Sequence, residues 1–431
     1  MTPTRVACCI AGGGPAGIVL GYLLARAGVE TCVLEKHGDF LRDFRGDTLH
    51  PSTLEVMHEL GLLDALLKLP HSELATVRAQ IGGESITVAD LSHLPTVCKF
   101  VALMPQWDFL DFLAERARAF PTFHLLMNAE VLDLLRDGET IRGVRAKMPD
   151  GEHEIAADLV IGADGRSSVV RDRAGLPIQT FGAPIDVLWL RLPKPSSQKE
   201  PTTPQASHQF RSSTFEVRSS DIPLGNIVSG RIFVALDRGD YYQCAIVIAK
   251  GTIDRIREAG LPAFRQEILR VAPGFAGVVD SIQSWDEVKL LTVRVDRLTR
   301  WHRSGLLCIG DCAHAMSPIG GIGINLAIQD AVAAANVLVP AFRRGRVDES
   351  DLARVQARRL WPTKITQAGQ VFIQDRLITA VLQSDRPIKL PFVLKLLRIF
   401  PWLRRVPARI LGLGVRPEHV RVWETQGEPV S

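Results

Sequence analysis

The sequence predicts an α/β protein with three parts: a parallel-sheet lobe built from separated segments, a β-rich lobe inserted into it, and a helical C-terminal region. Three observations carry this. An apolar strand, a glycine-rich turn, a helix and a second strand follow one another within about thirty residues of the N-terminus. From about Phe181 strand patterns dominate, with few helices between them. Near residue 306 a short apolar strand, a second glycine-rich loop and a long Ala-rich helix return. At 431 residues and 46% apolar, the chain can bury two cores.

Taken in order, Val6–Ala11 reads as a buried strand, Ile18–Ala27 as the helix that Gly28 closes, and Thr31–Leu34 as the next strand. Helical spacing follows over Thr53–Leu69 and over Trp107–Ala119, the latter entered through Pro105. Ile81–Val88 alternates like an exposed strand. Glu130–Leu135, Ile141–Lys147 and His153–Ala156 form a meander with turns at Asp137-Gly138 and Pro149-Asp150-Gly151, and Leu159–Ile161 is a further apolar strand. Val187–Leu192, His208–Val217, Ile232–Leu236 and Tyr241–Ile248 are the strands of the inserted lobe, interrupted by the Pro/Ser/Lys-rich stretch Pro193–Pro204. Helical periodicity returns at Thr252–Glu258 and Ala263–Val271, then at Asn325–Leu338 after the strand Leu306–Ile309. The domains expected are 1–180 with 290–345, the insert 181–289, and a helical region 346–431.

Composition excludes several classes of function. With 51 basic and 47 acidic side chains the charge is nearly balanced, which does not point to nucleic acid. Seven cysteines at irregular spacing give neither a disulfide framework nor a metal pattern, and no HExxH is present, so no metal is expected and a reduced, cytoplasmic setting is. The apolar run after Arg5 resembles a targeting segment, but five glycines and a proline interrupt it before Leu24. Lys389–Leu413 mixes Leu, Ile, Phe and Trp with Lys and Arg at helical spacing, which suits either a helix capping the two lobes or contact with a membrane surface. Oligomeric state is not set by the sequence.

Gly12-x-Gly14-x-x-Gly17, with Pro15 and Ala16 inside it, sits between a predicted strand and a predicted helix, as a Rossmann-type dinucleotide turn requires. The first glycine permits the tight turn and the second a close backbone approach to pyrophosphate. The third lets the helix pack on the strand, and the helix N-terminus offers unpaired N–H groups. Glu35, followed by Lys36, ends the second strand where a carboxylate can accept from a ribose hydroxyl.

Two further motifs narrow this. Asp158-Leu-Val-Ile-Gly-Ala-Asp164-Gly165-Arg-Ser167 running to Arg171, and Gly310-Asp311-Cys-Ala-His314 continuing through Pro318 and Gly320-Gly321-Ile-Gly323-Ile324-Asn325, resemble the Asp-Gly and Gly-Asp motifs of the class A, para-hydroxybenzoate hydroxylase-like flavoprotein monooxygenases. The resemblance runs from about residue 5 to 340, and the order of the three motifs is its specific part. It implies a non-covalent FAD, with NAD(P)H as a transient co-substrate and O2. A flavin C4a-hydroperoxide would then hydroxylate or epoxidise a small aromatic or polycyclic substrate. Asp311 would accept from ribityl hydroxyls. The loop of Gly321, Gly323, Ile324 and Asn325 would face the flavin pyrimidine edge, and Pro318 the ring face on which oxygen reacts.

By the same resemblance Arg45 would lie along the cofactor, although a loop arginine paired with Asp43 or Asp47 is the plain alternative. Gln106 would contact the ribityl chain or simply cap a helix, and Val131 would offer backbone to the adenine or be an ordinary strand residue. His314 reads as structural. Substrate-side candidates are His208, Arg211, Tyr241, Tyr242 and Gln243, each equally explicable as strand decoration. The absence of a second GxGxxG fits a transiently bound coenzyme or electrons delivered by a separate reductase. Two other readings stay open: a reductase or dehydrogenase of the same fold that inserts no oxygen, and a flavin-binding protein without turnover.

Overall fold

In the computed structural model, residues 3–41, 48–194, 225–228, 230–384 and 391–421 are described. Strand β1 (Arg5–Ala11), helix α1 (Pro15–Arg26) and strand β2 (Thr31–Glu35) form the expected βαβ unit, with β1 and β2 parallel from Cys8↔Thr31 to Ala11↔Leu34. β2 is buried along its whole length, as a parallel strand covered on both faces must be. Next come β3 (Thr48–Leu49), α2 (Pro51–Glu59) and α3 (Leu63–Leu66). The single helix expected over Thr53–Leu69 is two helices, because Gly61 turns left-handed at φ 71° and ends the first.

Strand β4 (Ser72–Leu74) precedes the hairpin β5 (Thr76–Ile81) and β6 (Glu84–Asp90), which turns at Gly82-Gly83. β7 (Val101–Leu103), α4 (Gln106–Ala117) and β8 (Phe123–Met127) lead into the meander β9 (Glu130–Asp137), β10 (Thr140–Met148) and β11 (Gly151–Gly162). The strands expected separately at His153–Ala156 and Leu159–Ile161 are one. The first half of β11 pairs antiparallel with β10, and its second half runs parallel to β1.

The chain continues through α5 (Val169–Arg173), β12 (Ile178–Thr180), β13 (Ile185–Pro193), β14 (Gly225–Val228), β15 (Arg231–Asp237) and β16 (Tyr241–Ala249). It then forms α6 (Ile253–Glu258), α7 (Leu261–Val271), β17 (Lys289–Leu291), β18 (Asp296–Leu298), β19 (His302–Arg303) and β20 (Leu306–Cys308). The helical remainder is α8 (Ile322–Arg343), α9 (Glu349–Ile373) with a π-helical extension Gln374–Ile378, α10 (Thr379–Leu382), α11 (Phe392–Ile399) and α12 (Arg405–Leu413). The strand expected at His208–Val217 lies outside the described residues.

Two sheets organise the molecule. The first has the order β19-β20-β11-β1-β2-β8, with β9 and β10 attached to β11. The second runs β17-β13-β16-β15-β14-β5-β6. Its last two strands come from residues 76–90, which the sequence grouped with the first lobe. β14 recruits them by parallel pairing, Gly225↔Ala79 to Ile227↔Ile81, a contact between distant segments that no local pattern announces. One core lies around the first sheet with α1, α4 and α8; another lies between the second sheet and α6 and α7. Ile319–Arg343 is long and apolar enough to cross a membrane, but 83% of its most apolar window is buried inside the protein, so it serves here as a core helix.

Candidate functional site

The first glycine turn is shaped by close approaches. Gly12 has φ 107°, and a Cβ there would stand 2.3 Å from the carbonyl oxygen of Ala163, where β11 leaves the sheet beside β1. A Cβ on Gly17 would meet the Gly12 carbonyl oxygen at 1.9 Å, so α1 rests directly on the turn. Gly13, which the motif leaves as a free position, is equally constrained. Its Cβ would meet that of Glu35 at 2.9 Å, and its N–H donates to Glu35 Oε2 at 3.1 Å. Of the four, only Gly14 faces open space among the described residues, with none of them within 4 Å of where its Cβ would be. That opening lies at the N-cap of α1, where no side chain among the described residues caps the helix and Pro15 has no N–H to place. Uncapped N–H groups at an open helix end fit the pyrophosphate of a dinucleotide.

Glu35 ends β2, is 8% exposed, and also accepts from the His37 N–H at 3.0 Å, so its carboxylate is held in place. Lys36 beside it is exposed. The chain returns to this corner when the Ala129 N–H donates to the Glu35 carbonyl at 2.8 Å, which brings Val131 on β9 close to the end of β2.

The Asp-Gly and Gly-Asp motifs meet. Asp164 accepts from Ser168 Oγ at 2.5 Å and from the Val170 N–H at 3.1 Å, tying down the start of α5; burial pushes its pKa up. Arg171 is buried and spans both motifs, donating to the carbonyls of Arg166 (3.0 Å) and Cys312 (3.4 Å). Arg166 Nε donates to Asp311 Oδ2 at 3.0 Å, both side chains being about one-third exposed. A carboxylate has about four acceptor positions, so this pairing leaves Asp311 capacity for a hydroxyl donor. Gly310, at φ 59°, has Ala16 of α1 and Ala327 of α8 within 3.2 Å of where its Cβ would be, so the first and third motifs are in contact. Gln106 opens α4 and is half-buried.

The loop after Gly310-Asp311 is held from both sides. Gly320 and Gly321 take φ 75° and 63°, and a Cβ on Gly321 would stand 2.2 Å from Thr48 Oγ1, which donates to the Gly321 carbonyl at 3.1 Å. Asn325, in the first turn of α8, uses its whole amide on protein. Oδ1 accepts from the His50 N–H (2.8 Å) and Thr53 Oγ1 (2.7 Å), and Nδ2 donates to the carbonyls of Thr48 (2.9 Å) and Gly321 (3.2 Å). His50 is buried with Nδ1 donating to the Leu411 carbonyl at 2.7 Å; burial lowers its pKa to about 4, so it is neutral. Pro318 precedes the two glycines, and a Cβ on Gly323 would meet Met316 at 3.7 Å. Ile324 packs into the core.

Behind the loop stands a ladder of glutamines that sequence reasoning missed. Gln367 Nε2 donates to the carbonyls of Asp296 and Ala315, Gln370 Nε2 to those of Ser317 and Ile319, and Gln370 Oε1 accepts from the Ser317 N–H. Gln374 Oε1 pairs with Ser317 Oγ at 3.2 Å. The available signal was three glutamines spaced three and four apart, on one face of a helix that must bury a face.

His314 is structural, as expected: it is 1% exposed, and Nε2 is 2.5 Å from Asp330 Oδ2. Asp330 also accepts from the Gly310 N–H (3.0 Å) and Arg359 Nε (2.9 Å). Burial raises its pKa, but His314 and Arg359 outweigh that and hold it below the usual carboxylate value. Arg359 in turn reaches Glu418, which Arg358 also grips at 2.7 Å. The turn carrying Asp311 is thus anchored to a buried ionic cluster.

On the second sheet the substrate-side candidates separate. Tyr242 points into the core under α7, its ring edge-on to Phe275 at 5.3 Å. Strand alternation puts Tyr241 and Gln243 on the opposite face, the one shared by Val187, Trp189, Ala245, Val371 and Ile378. Val371 belongs to α9, so one helix packs against this sheet face and, through its glutamines, holds the Ser317–Ile319 loop. Arg191 lies over the Tyr241 ring at 5.1 Å, and Arg238 donates to Gln243 Oε1 at 3.2 Å. Arg45, His208 and Arg211 lie outside the described residues.

Comparison with known proteins agrees with this geometry. Residues 5–367 match the family model described as FAD binding domain. A 6-methylpretetramide 4-monooxygenase of Streptomyces rimosus is 33% identical over 429 residues, covering 98% of this chain and 96% of the relative. A rifampicin monooxygenase of Streptomyces venezuelae is 29% identical over 325 residues, 75% of this chain and 61% of that longer protein. Among solved structures, the OxyS anhydrotetracycline hydroxylase from Streptomyces rimosus superposes with TM-score 0.71 at 22% identity, over 98% of this chain and 78% of that one. With these matches and the three converging motifs, the chain belongs to the class A FAD-dependent flavoprotein monooxygenase family.

Proposed function

We propose that this FAD-dependent oxidoreductase uses NAD(P)H and O2 to hydroxylate or epoxidise a polycyclic aromatic substrate. The observation that carries the reading is the 33% identity, over nearly the whole length of both chains, with an enzyme named 6-methylpretetramide 4-monooxygenase. When bound, FAD would take a hydride from NAD(P)H and supply the C4a position at which O2 is activated for transfer.

The protein's own part is to hold and orient. The uncapped start of α1, open at Gly14, would take the pyrophosphate; Glu35 would take a ribose hydroxyl, with Lys36 beside it; and the Val131 backbone would face the adenine. Asp311 would accept from the ribityl chain, with Gln106 on the same chain and Arg45 along the cofactor. Pro318, Gly321, Gly323, Ile324 and Asn325 belong to the segment that would border the flavin ring. Because Thr48, Asn325 and Gln370 already bond this segment, its N–H groups need little reorganisation to meet charge on the ring. The mostly apolar sheet face carrying Trp189, Tyr241 and Gln243 suits a flat, fused-ring substrate, excluding water while two polar groups fix orientation.

The test is mixing of anaerobically reduced, FAD-loaded protein with labelled O2 and a tetracyclic phenol, followed by absorbance and product mass. A transient absorbance species followed by a product carrying one labelled oxygen is the expected result. Direct return of oxidised flavin with unlabelled substrate would replace this reading with that of a reductase.

A further inference from the structure

We propose that α11, the 3₁₀ turn Pro401–Arg404 and α12 form a docking face for an anionic lipid bilayer. Their inner sides are accounted for. Leu394, Leu397 and Leu403 pack on Ile81 and Ile86, while Ala408 joins Leu91 and Leu94. All three segments therefore stand on β6 and the turn after it, so neighbouring parts of one surface carry their exposed side chains. Those outer sides carry large apolar groups: Phe392 is 73% exposed, Ile399 63%, Trp402 62%, Val406 55% and Ile410 56%. Trp402, Val406 and Ile410 are four residues apart, one stripe along a helical face.

Charge identifies the occupant. Residues 391–417 contain six Lys and Arg and no Asp or Glu. Arg398 pairs with Glu84 of β6, and Arg404 Nε donates to the Leu397 carbonyl. Lys395, Arg405 and Arg409 are exposed, the last two beside Val406 and Ile410. A two-fold dimer through this face would set the basic cluster against its own copy, which costs rather than stabilises. An anionic bilayer satisfies both features at once, because short amphipathic helices bury aromatic and aliphatic groups at the headgroup boundary while Lys and Arg meet lipid charge. Helices of eight and nine residues lie on a membrane and cannot span it.

The face also touches the flavin-side loop. A Cβ on Gly320 would stand 3.4 Å from Leu411 of α12, and the Leu411 carbonyl accepts from buried His50. A bilayer under α12 would therefore lie one helix thickness from the candidate site, where a lipophilic substrate could be taken up from the membrane. This inference does not depend on which reaction the site performs.

The experiment is flotation of the FAD-loaded full chain with phosphatidylcholine vesicles and with mixed phosphatidylcholine–phosphatidylglycerol vesicles. The protein should float with the mixed vesicles and less so as salt rises. At about 1 kcal/mol per cation near the surface, Arg405→Gln with Arg409→Gln should weaken partitioning roughly 25-fold. Trp402→Ser with Ile410→Ser should weaken it while FAD content stays at the parent level. Absence of flotation with mixed vesicles at low salt, or parental flotation of both double variants, would overturn the proposal. So would a concentration-dependent dimer that Trp402→Ser dissolves, since the face would then bind a second copy.

Discussion

Asn325→Ala separates a scaffold role from a ligand role at the loop. In the structure the Asn325 amide is committed to four protein partners, so its loss leaves the His50 N–H without its acceptor and the Thr48 carbonyl without its donor, both next to buried groups. A buried polar group left without a partner costs about 1–3 kcal/mol. Thr53 can rotate its hydroxyl, and the Gly321 carbonyl keeps Thr48 Oγ1, so two of the four losses dominate and the expected cost is about 2–6 kcal/mol. The assay is hydrogen exchange on the FAD-free protein, read on peptides covering residues 48–54 and 317–325. Both should exchange at least tenfold faster in the variant, and FAD affinity should fall with them. If those peptides exchange at the parental rate while FAD binding alone weakens, Asn325 acts through the cofactor and the scaffold argument is wrong.

Gly17→Ala should abolish FAD retention, because the new Cβ would stand 1.9 Å from the Gly12 carbonyl oxygen and force α1 off the turn; a parental dissociation constant by flavin fluorescence would contradict this. Asp311→Ala should weaken FAD at least tenfold while leaving far-UV circular dichroism unchanged, since the carboxylate is partly exposed and among the described residues pairs with Arg166. A variant that keeps FAD through gel filtration as well as the parent would remove Asp311 from the site. His50 has a folded pKa of about 4, below its ordinary 6.5, so its contribution to stability is complete above about pH 6.5 and is lost as pH falls towards 4. At about 1.4 kcal/mol per pH unit the loss is on the order of 3 kcal/mol, and urea unfolding of His50→Gln at pH 7 and pH 4.5 should show a smaller difference than the parent.

Legibility in the sequence followed locality. Gly12 and Gly17 were readable because each answers a local steric demand, Gly14 because the motif asks for an open backbone at the helix start, and Glu35 because a strand end fixes its direction. Helical spacing in the sequence begins at Asn325, whereas α8 begins at Ile322, since two left-handed glycines conceal where helical geometry starts. Pairings between distant segments were not readable: β14 finding β5, β11 turning from antiparallel to parallel partners, and Gln370 reaching back to Ser317. Asp330 gave one overlooked hint. A carboxylate inside the apolar run Asn325–Leu338 must be paired when buried, yet nothing local names Arg359 and His314 as its partners.

The Asp330–Arg359–Glu418 cluster has a consequence for how the protein matures during synthesis. Arg359 is 1% exposed and Glu418 likewise, so a chain lacking 416–421 would leave Arg359 without one of its two carboxylate partners in a low-dielectric interior. The Gly310 turn, tied to Asp330, therefore reaches its final charge balance only after residue 418 has left the ribosome. At about 5–20 residues per second, roughly four hundred residues separate the first glycine turn from that moment by tens of seconds. The newborn lobe must wait that long in an incomplete state, and early cofactor capture would shorten its exposure to chaperones and proteases.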